Sequence, residues 1–111
     1  MKGHQLGEFE ELVLLAVCIL DGDAYGVTIQ QAIETHARRI VSLGAVHATM
    51  YRLQDKGLLT SSLDGATEKR GGRRKRLFTV TNAGFEAVRA GRDVREQMWA
   101  LVPPTLNPGL S

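Results

Sequence analysis

Six basic side chains crowd into eight consecutive positions of this 111-residue chain. They belong to the segment EKRGGRRKRLFTVT, from Glu68 to Thr81, and are Lys69, Arg70, Arg73, Arg74, Lys75 and Arg76. Guanidinium and ammonium groups bind phosphate oxygens, and a guanidinium can do so in a bidentate geometry. Gly71 and Gly72, which lie among them, let the backbone approach a bound surface closely. The segment therefore indicates contact with a polyanion.

The charge is segregated along the chain. The whole sequence has a net charge of only +2, with fourteen basic and twelve acidic residues. The eight-residue window carries +6, whereas the remaining eight basic and twelve acidic residues carry −4. A run of charged residues is usually a solvated loop that binds nothing. Concentration into one glycine-containing window favours a polyanionic partner instead.

Length and composition indicate one soluble domain. Hydrophobic residues make up 43% of the chain, which is enough for a folded core. A single cysteine, Cys18, rules out a disulfide within the chain and suits a reducing compartment. We see no signal peptide, and the longest apolar run, Leu12 to Leu20, has nine residues, far short of a membrane span. We expect a cytoplasmic protein that does not contact membranes.

Enzymatic chemistry is not indicated. No nucleophile, base and orienting group can be placed together, and GGRRKR lacks the Gly-Lys-Ser/Thr ending of a nucleotide-binding loop. His4, His36 and His47 show no metal-ligand spacing with Cys18. We therefore predict no catalytic residues, no cofactor and no metal site.

Hydrophobic spacing predicts three helices before the basic segment. The first begins near Glu8, is apolar on most sides and ends at the Asp-Gly turn of DGDAYG. The second runs from about Ala24 to Ala37 with Asp23 as its cap, and Ile40 and Val41 then suit a short strand. Ser42 caps the third helix, which runs to about Lys56 before Gly57.

The second half of the chain predicts a β-hairpin and a fourth helix. LLTSSL from Leu58 and RLFTVT from Arg76 read as strands, with the basic segment between them. Thr81 caps a helix from about Asn82 to Val102, which the prolines at 103 and 104 end. We divide the chain into residues 1–81, residues 82–102 and a disordered tail, 103–111.

This order of elements is that of a winged helix-turn-helix, a mainly α fold with a small β-hairpin. Its third helix can enter a DNA major groove, and the basic segment becomes the tip of the wing. On the third helix, Val46, Met50 and Leu53 share one face. The opposite face carries Gly44, Ala45, Ala48, Arg52 and Asp55, with Tyr51 at its edge as a packing residue.

Four segments carry a family resemblance. LGEFEELVLLAV, DAYGVTIQQAIE, VSLGAVHATMYRLQDKGLL and GGRRKRLFTVTNAG, which together span Leu6 to about Ala90, resemble the PadR family of bacterial transcriptional regulators. Members usually have tyrosine where this chain has His47, and often where it has Phe78. The resemblance implies a homodimeric repressor whose two winged helices bind a palindromic operator in double-stranded DNA.

The predicted DNA-contacting residues come from the third helix and the wing. They are Ser42, Gly44, Ala45, His47, Ala48, Thr49, Arg52, Lys69, Arg70, Gly72, Arg73, Arg74 and Lys75. Two of them have alternatives that the sequence leaves open. His47 is either a structural residue or a DNA contact, and Arg52 either binds DNA or pairs with Asp55 or a nearby glutamate.

The resemblance places the dimer on the first and fourth helices. Spacings of four and three residues predict a seam along the fourth helix at Ala83, Ala87, Ala90, Val94, Met98 and Leu101. The predicted interface consists of Leu12, Leu15, Ile19, Val94, Met98 and Leu101.

Trp99, the only tryptophan, is expected to pack in the dimer. The alternative comes from the resemblance: some members of the family bind flat aromatic compounds at the dimer centre, and Leu15, Met98 and Trp99 are the candidate effector pocket here, since such compounds stack well on an indole. Cys18 is expected to be inert, with redox sensing as its alternative.

Two other functions remain as alternatives. A winged helix can also serve as a protein-interaction module, with its basic wing on an acidic partner. RNA binding is disfavoured, because the aromatic stacking platforms it uses are missing from a chain with six aromatic residues.

Overall fold

A computed structural model describes residues 5–63 and 75–106 of the chain. Those residues form four α-helices, two β-strands and one turn of 3₁₀ helix. In chain order the elements are α1 (Glu8–Leu20), α2 (Gly26–His36), α3 (Leu43–Asp55), β1 (Leu59–Leu63), β2 (Arg76–Val80), α4 (Asn82–Ala100) and the 3₁₀ turn (Pro104–Leu106). This is the predicted winged helix-turn-helix.

Helix α1 begins and ends as its sequence predicts. Three glutamates occupy its first turn, where the helix dipole favours negative charge. The Glu10 side chain accepts a hydrogen bond of 2.9 Å from the N–H of Gly7, just before the helix. At the other end, Asp21 (φ 35°) and Gly22 (φ 96°) adopt left-handed backbone conformations and turn the chain.

Helix α2 begins two residues later than predicted, and its cap is different. The hydroxyl of Thr28 accepts a hydrogen bond of 2.9 Å from the N–H of Tyr25. That hydroxyl donates in turn to the carbonyl of Asp23, over 2.7 Å. The prediction that Asp23 caps the helix with its side chain is therefore wrong; Asp23 contributes its backbone oxygen.

The predicted strand at Ile40 and Val41 is also wrong, since these residues form a loop between α2 and α3. The Val41 carbonyl accepts from Gln30 Nε2 at 2.9 Å, and the Val41 N–H donates to Glu34 at 3.3 Å. Because side chains of α2 satisfy both backbone groups, Val41 needs no partner strand. The Ile40 side chain is almost fully exposed.

Helix α3 follows its prediction closely. The Ser42 hydroxyl accepts a hydrogen bond of 3.0 Å from the N–H of Ala45. Gly57, with φ of 79°, lies just past the end of the helix, where glycine adopts this conformation without strain. Val46, Met50 and Leu53 are fully buried against the other helices.

Strands β1 and β2 pair antiparallel, with Leu59 opposite Val80 and Leu63 opposite Arg76. Phe78 of β2 is buried, and its N–H donates to the carbonyl of Ala24 at 2.8 Å, which ties the hairpin to the α1–α2 turn. The two strands confirm the predicted hairpin. Most of the basic segment that joins them lies outside the described residues.

Helix α4 is held to the rest of the molecule mainly at its start. The Thr81 hydroxyl accepts from the N–H of Gly84 at 2.9 Å and donates to the carbonyl of Gly57 at 2.8 Å. Gly84 and Val88 are the buried residues of this helix. The helix ends two residues before the predicted Val102. Of the tail predicted to be disordered, Pro104–Leu106 form the 3₁₀ turn, and 107–111 are outside the described residues.

The core lies where α1, α2, α3 and the base of the hairpin meet. Its buried side chains are aliphatic apart from Met50 and Phe78: Val13, Leu14, Ala16, Val17, Ala24, Ile29, Ala32, Ile33, Val46, Met50, Leu53, Leu58, Leu59, Phe78 and Val88. This arrangement fixes α3 with one side inward and leaves its N-terminal outer face open.

Candidate nucleic-acid interface

The outer face of α3 is exposed and carries small side chains near its start. Gly44, Ala45, His47 and Ala48 all face solvent, and so does Ser42 at the cap. The first backbone N–H groups of the helix have no intrahelical partner and carry the positive end of the dipole. This end of α3 can approach a phosphate or a groove floor without interference from long side chains.

His47 lies on the flank of this surface, against the start of α2. A methyl group placed at Gly26 would overlap the His47 ring at Nε2. The imidazole therefore rests on the backbone of α2 while it remains exposed to solvent. The structural role left open by the sequence is observed, and a DNA contact by its exposed edge remains a prediction.

Thr49 is not accessible. Its side chain is only 2% exposed, and its hydroxyl accepts a hydrogen bond of 3.2 Å from Arg52 Nη2. Thr49 follows Val46 by three residues and precedes Leu53 by four, so it shares their buried face. The predicted direct contact of Thr49 with DNA is corrected accordingly: its hydroxyl supports Arg52.

Arg52 is held by a partner that the sequence did not reveal. Its Nε lies 3.2 Å from Glu10 Oε2, and Lys56 Nζ lies 2.9 Å from the same oxygen. The side chain of Glu10 is 11% exposed, whereas that of Arg52 is 53% exposed. The ion pair therefore involves Glu10 rather than Asp55, and it leaves much of the guanidinium on the surface.

Several opposing effects set the pKa of Glu10. Burial raises the pKa of this carboxyl, but the hydrogen bond from Gly7 and the cations Lys56 and Arg52 outweigh burial, so the pKa lies below its usual value. The carboxylate thus stabilises the fold above its unfolded-state pKa, and this stabilisation is lost as the pH falls through the lowered pKa. In the sequence, Glu10 could have been recognised by its spacing of three residues from Gly7, which is typical of a capping box.

The base of the wing is anchored on α2. Lys75 Nζ donates to the Tyr25 hydroxyl at 3.2 Å and lies 4.3 Å from the centre of the Tyr25 ring. Arg76 donates to the Ser61 hydroxyl across the hairpin, at 3.0 Å. The other predicted wing contacts, Lys69, Arg70, Gly72, Arg73 and Arg74, lie outside the described residues.

Tyr51 packs as predicted. Its ring meets that of Phe78 edge to face, with centroids 5.8 Å apart. The contact joins α3 to β2, so the exposed face of α3 and the base of the wing belong to one surface.

A second surface is apolar and lies along α1 and α4. Leu15, Ile19, Val94, Met98 and Leu101 are all exposed, with Leu101 81% exposed. Leu12, by contrast, is partly buried against the core. Single exposed apolar side chains are common, but five along two neighbouring helices form a surface suited to a protein partner.

The candidate effector residues are only partly brought together. Leu15 and Trp99 line one groove of about 340 Å³ with Phe85 and Val88, and the arginines 89, 92 and 95 lie around it. Met98 is not part of that groove; it lines a shallower depression of about 300 Å³ with Trp99 and Val102. Trp99 lines both depressions, and an effector pocket formed by Leu15, Met98 and Trp99 stays a prediction.

Cys18 has the surroundings of an unreactive thiol. Burial raises its pKa, and the nearby Asp21 carboxylate raises it further. A thiol with a raised pKa carries little thiolate at neutral pH, which disfavours the redox alternative.

No helix in the described part of the chain is long and apolar enough to cross a bilayer.

The four helices and the hairpin are arranged as in winged-helix regulators of transcription. The chain belongs to the Transcriptional regulator PadR-like family, whose model matches residues 14–90. That family comprises transcriptional regulators rather than enzymes. The sequence has no significant match among curated proteins.

Solved structures with the same fold come from several organisms. RosR from H. salinarum is 22% identical with a TM-score of 0.70, over 92% of this chain and 84% of that one. A PadR family regulator from Eggerthella lenta is 21% identical with a TM-score of 0.67, over 90% and 87%. A PadR family regulator from Clostridium difficile is 21% identical with a TM-score of 0.65, over 95% and 100%. At these identities the likeness establishes the fold.

Proposed function

We propose that this protein is a homodimeric repressor that binds a palindromic operator through α3 and the wing. The observation that carries the proposal is the exposed N-terminal face of α3, with small side chains, next to the anchored base of a basic hairpin. The N-terminus of α3 can bind a phosphate, and its small exposed side chains let the helix enter a major groove. The basic segment between the two strands can contact the phosphate backbone beside that groove.

The wing supplies the charge that α3 lacks. The predicted wing contacts Lys69, Arg70, Arg73 and Arg74 carry four positive charges, and Gly72 lets their backbone follow a duplex. Lys75, at the start of β2, is held by Tyr25 at the N-cap of α2. The concentration of charge in the wing supports phosphate contact, or entry of an arginine into an adjacent minor groove.

The apolar surface on α1 and α4 supports the dimer. Exposed Leu15, Ile19, Val94, Met98 and Leu101 would be covered by the same surface of a second copy. A two-fold axis there gives two α3 helices, which read half-sites related by the same symmetry. The groove beside Trp99 would then lie near the dimer centre, where a small aromatic effector could bind between apolar walls and arginines.

The first test is a binding titration with the DNA upstream of the gene, against random duplex, at two salt concentrations. The proposal predicts tight binding that prefers the upstream sequence and weakens steeply with salt. Equal and weak binding to both duplexes would contradict it and favour an acidic protein partner for the wing.

Gly44→Ala tests how closely α3 approaches DNA. An added Cβ at Gly44 meets no atom of residues 5–63 or 75–106 within 4 Å, so this part of the protein accommodates it. Alanine also favours a helix over glycine by up to about 1 kcal/mol. We expect unchanged or higher stability in thermal denaturation but about tenfold weaker operator binding, a size typical of one lost groove contact. Unchanged affinity would place DNA away from this end of the helix.

Replacing Arg73 and Arg74 together by alanine is expected to weaken binding to operator and random DNA alike. Loss of two phosphate contacts lowers the slope of log affinity against log salt by about two. The matched variant R73K/R74K keeps the charge and should keep the salt slope. A slope unchanged by the alanine variant would contradict a phosphate role for these residues.

A further inference from the structure

Glu10 is an inward-facing carboxylate that links α1 to α3, 42 positions away in sequence from Arg52. It accepts three hydrogen bonds: 2.9 Å from the Gly7 N–H, 2.9 Å from Lys56 Nζ and 3.2 Å from Arg52 Nε. A carboxylate needs only a few such partners to remain charged when it is mostly buried. The ion pair between Glu10 and Arg52 therefore has a defined geometry, unlike an exposed surface ion pair.

Two of the nitrogen atoms of Arg52 are occupied by the protein itself. Nε bonds to Glu10, and Nη2 donates to the hydroxyl of the buried Thr49 at 3.2 Å. Within the described residues, Nη1 makes no hydrogen bond, and half of the side chain is exposed. The guanidinium plane is thus fixed on one edge and open on the other.

An arginine fixed in this way is suited to reading DNA. A free arginine loses rotamer freedom when it binds, at a cost of about 2 kcal/mol. Glu10 and Thr49 impose that order before DNA arrives. The outward edge retains N–H groups for base-edge acceptors in the groove that α3 enters.

We propose that Glu10 is a positioning residue for DNA recognition. It orients Arg52 of α3, and it keeps Arg52 and Lys56 from binding phosphates of any DNA sequence. The inference rests on the proposed DNA-binding function and adds to it a specificity role for a residue of α1. Glu10 itself touches no DNA; it acts through the arginine.

Two consequences distinguish positioning from simple structural support. Without the carboxylate, Arg52 and Lys56 become two untethered cations beside the groove, so binding to random DNA strengthens and its salt dependence steepens. At the same time, Arg52 loses its fixed orientation, so the preference for operator over random DNA falls. A merely destabilised protein would lose affinity for both duplexes.

The experiment is a competition titration of Glu10→Gln with operator and random duplex. Glutamine keeps the side-chain length and can still accept from the Gly7 N–H through its amide oxygen. We expect the ratio of operator to random affinity to fall about tenfold, which corresponds to losing one well-aimed arginine contact. Glu8→Gln is the matched control: it removes the same charge from the same helical turn, but Glu8 is 75% exposed and pairs with Arg39. Its ratio should stay at the wild-type value.

A double-mutant cycle then tests whether Glu10 acts through Arg52. In an Arg52→Ala background, Glu10→Gln should change the ratio no further. An equal further fall there, or a ratio unaffected by Glu10→Gln alone, would overturn the proposal. A wild-type protein that fails to prefer operator would instead overturn the proposed function, so the two failures are distinguishable.

Glu10→Asp keeps the test decisive should the glutamine variant fold poorly. Aspartate retains the charge but withdraws the carboxylate by one methylene from Arg52. The operator preference should again fall, and binding to random DNA should change less than in Glu10→Gln, since a negative charge remains near Arg52 and Lys56. An operator preference equal to that of wild type would show that the position of the carboxylate does not matter, which contradicts the proposal.

Discussion

Replacing Met98 by glutamate is expected to convert the protein to monomers and to weaken operator binding by at least about 100-fold. Met98 is 65% exposed on α4, within the apolar surface that the proposed dimer covers. In a two-fold interface each substitution occurs twice, so two carboxylates would enter an apolar interface, where burying each charge is costly. A 100-fold loss corresponds to about 2.7 kcal/mol, which is modest for such a change.

Sedimentation equilibrium of the variant, beside an operator titration, measures both effects. Ala100→Glu is the matched control, because it adds the same charge two residues further along, at an exposed position on a different side of α4 from the predicted seam. Circular dichroism should show both variants folded, since α4 is anchored at Gly84 and Val88, far from position 98. A Met98→Glu protein that remained dimeric and bound operator normally would place the dimer contact elsewhere.

Replacing Gly84 by alanine is expected to lower the free energy of unfolding by about 2 kcal/mol, within the range typical of overpacked sites. An added Cβ at Gly84 would overlap the carbonyl oxygen of Leu58, which is backbone and cannot rotate away. Relief requires α4 to move away from Leu58, just before the start of β1. The greater helix propensity of alanine offsets up to about 1 kcal/mol of the strain.

Urea denaturation of the two glycine variants provides the comparison. Gly44→Ala makes the same substitution near a helix start where the added Cβ meets none of the described residues, so its stability should equal or exceed that of wild type. A Gly84→Ala protein as stable as Gly44→Ala would mean that the start of α4 and Leu58, just before β1, do not pack as closely as the structure shows.

The helices and their starts were predictable because local signals specify them. Ser42 and Thr81 are caps followed by apolar spacing, and both accept the expected backbone hydrogen bond. The α2 start was missed because Asp23 and Thr28 are both able to satisfy backbone donors, and only the turn geometry selects Thr28. The strand at Val41 was wrong because tertiary hydrogen bonds from Gln30 and Glu34 replace a ladder.

The parts of the site that lie on a single helix could be predicted from the sequence, but the contacts between two helices could not. The exposed small residues of α3 follow from helical periodicity alone. The pairing of Arg52 with Glu10 joins distant segments, and no local pattern indicates it. Thr49 illustrates a different limit: its polarity suggested exposure, but it lies between Val46 and Leu53 on the buried face.

Hydroxyl-radical footprinting of the upstream DNA, with the stoichiometry determined on the same duplex, tests the central claim most directly. A homodimer that inserts two α3 helices predicts two chains per duplex and two protected half-sites, whose centres lie about one helical turn, roughly 10 base pairs, or a multiple of it apart. The flanking minor groove should be protected by the wings. A single protected half-site, or protection spread evenly along the duplex, would contradict the account.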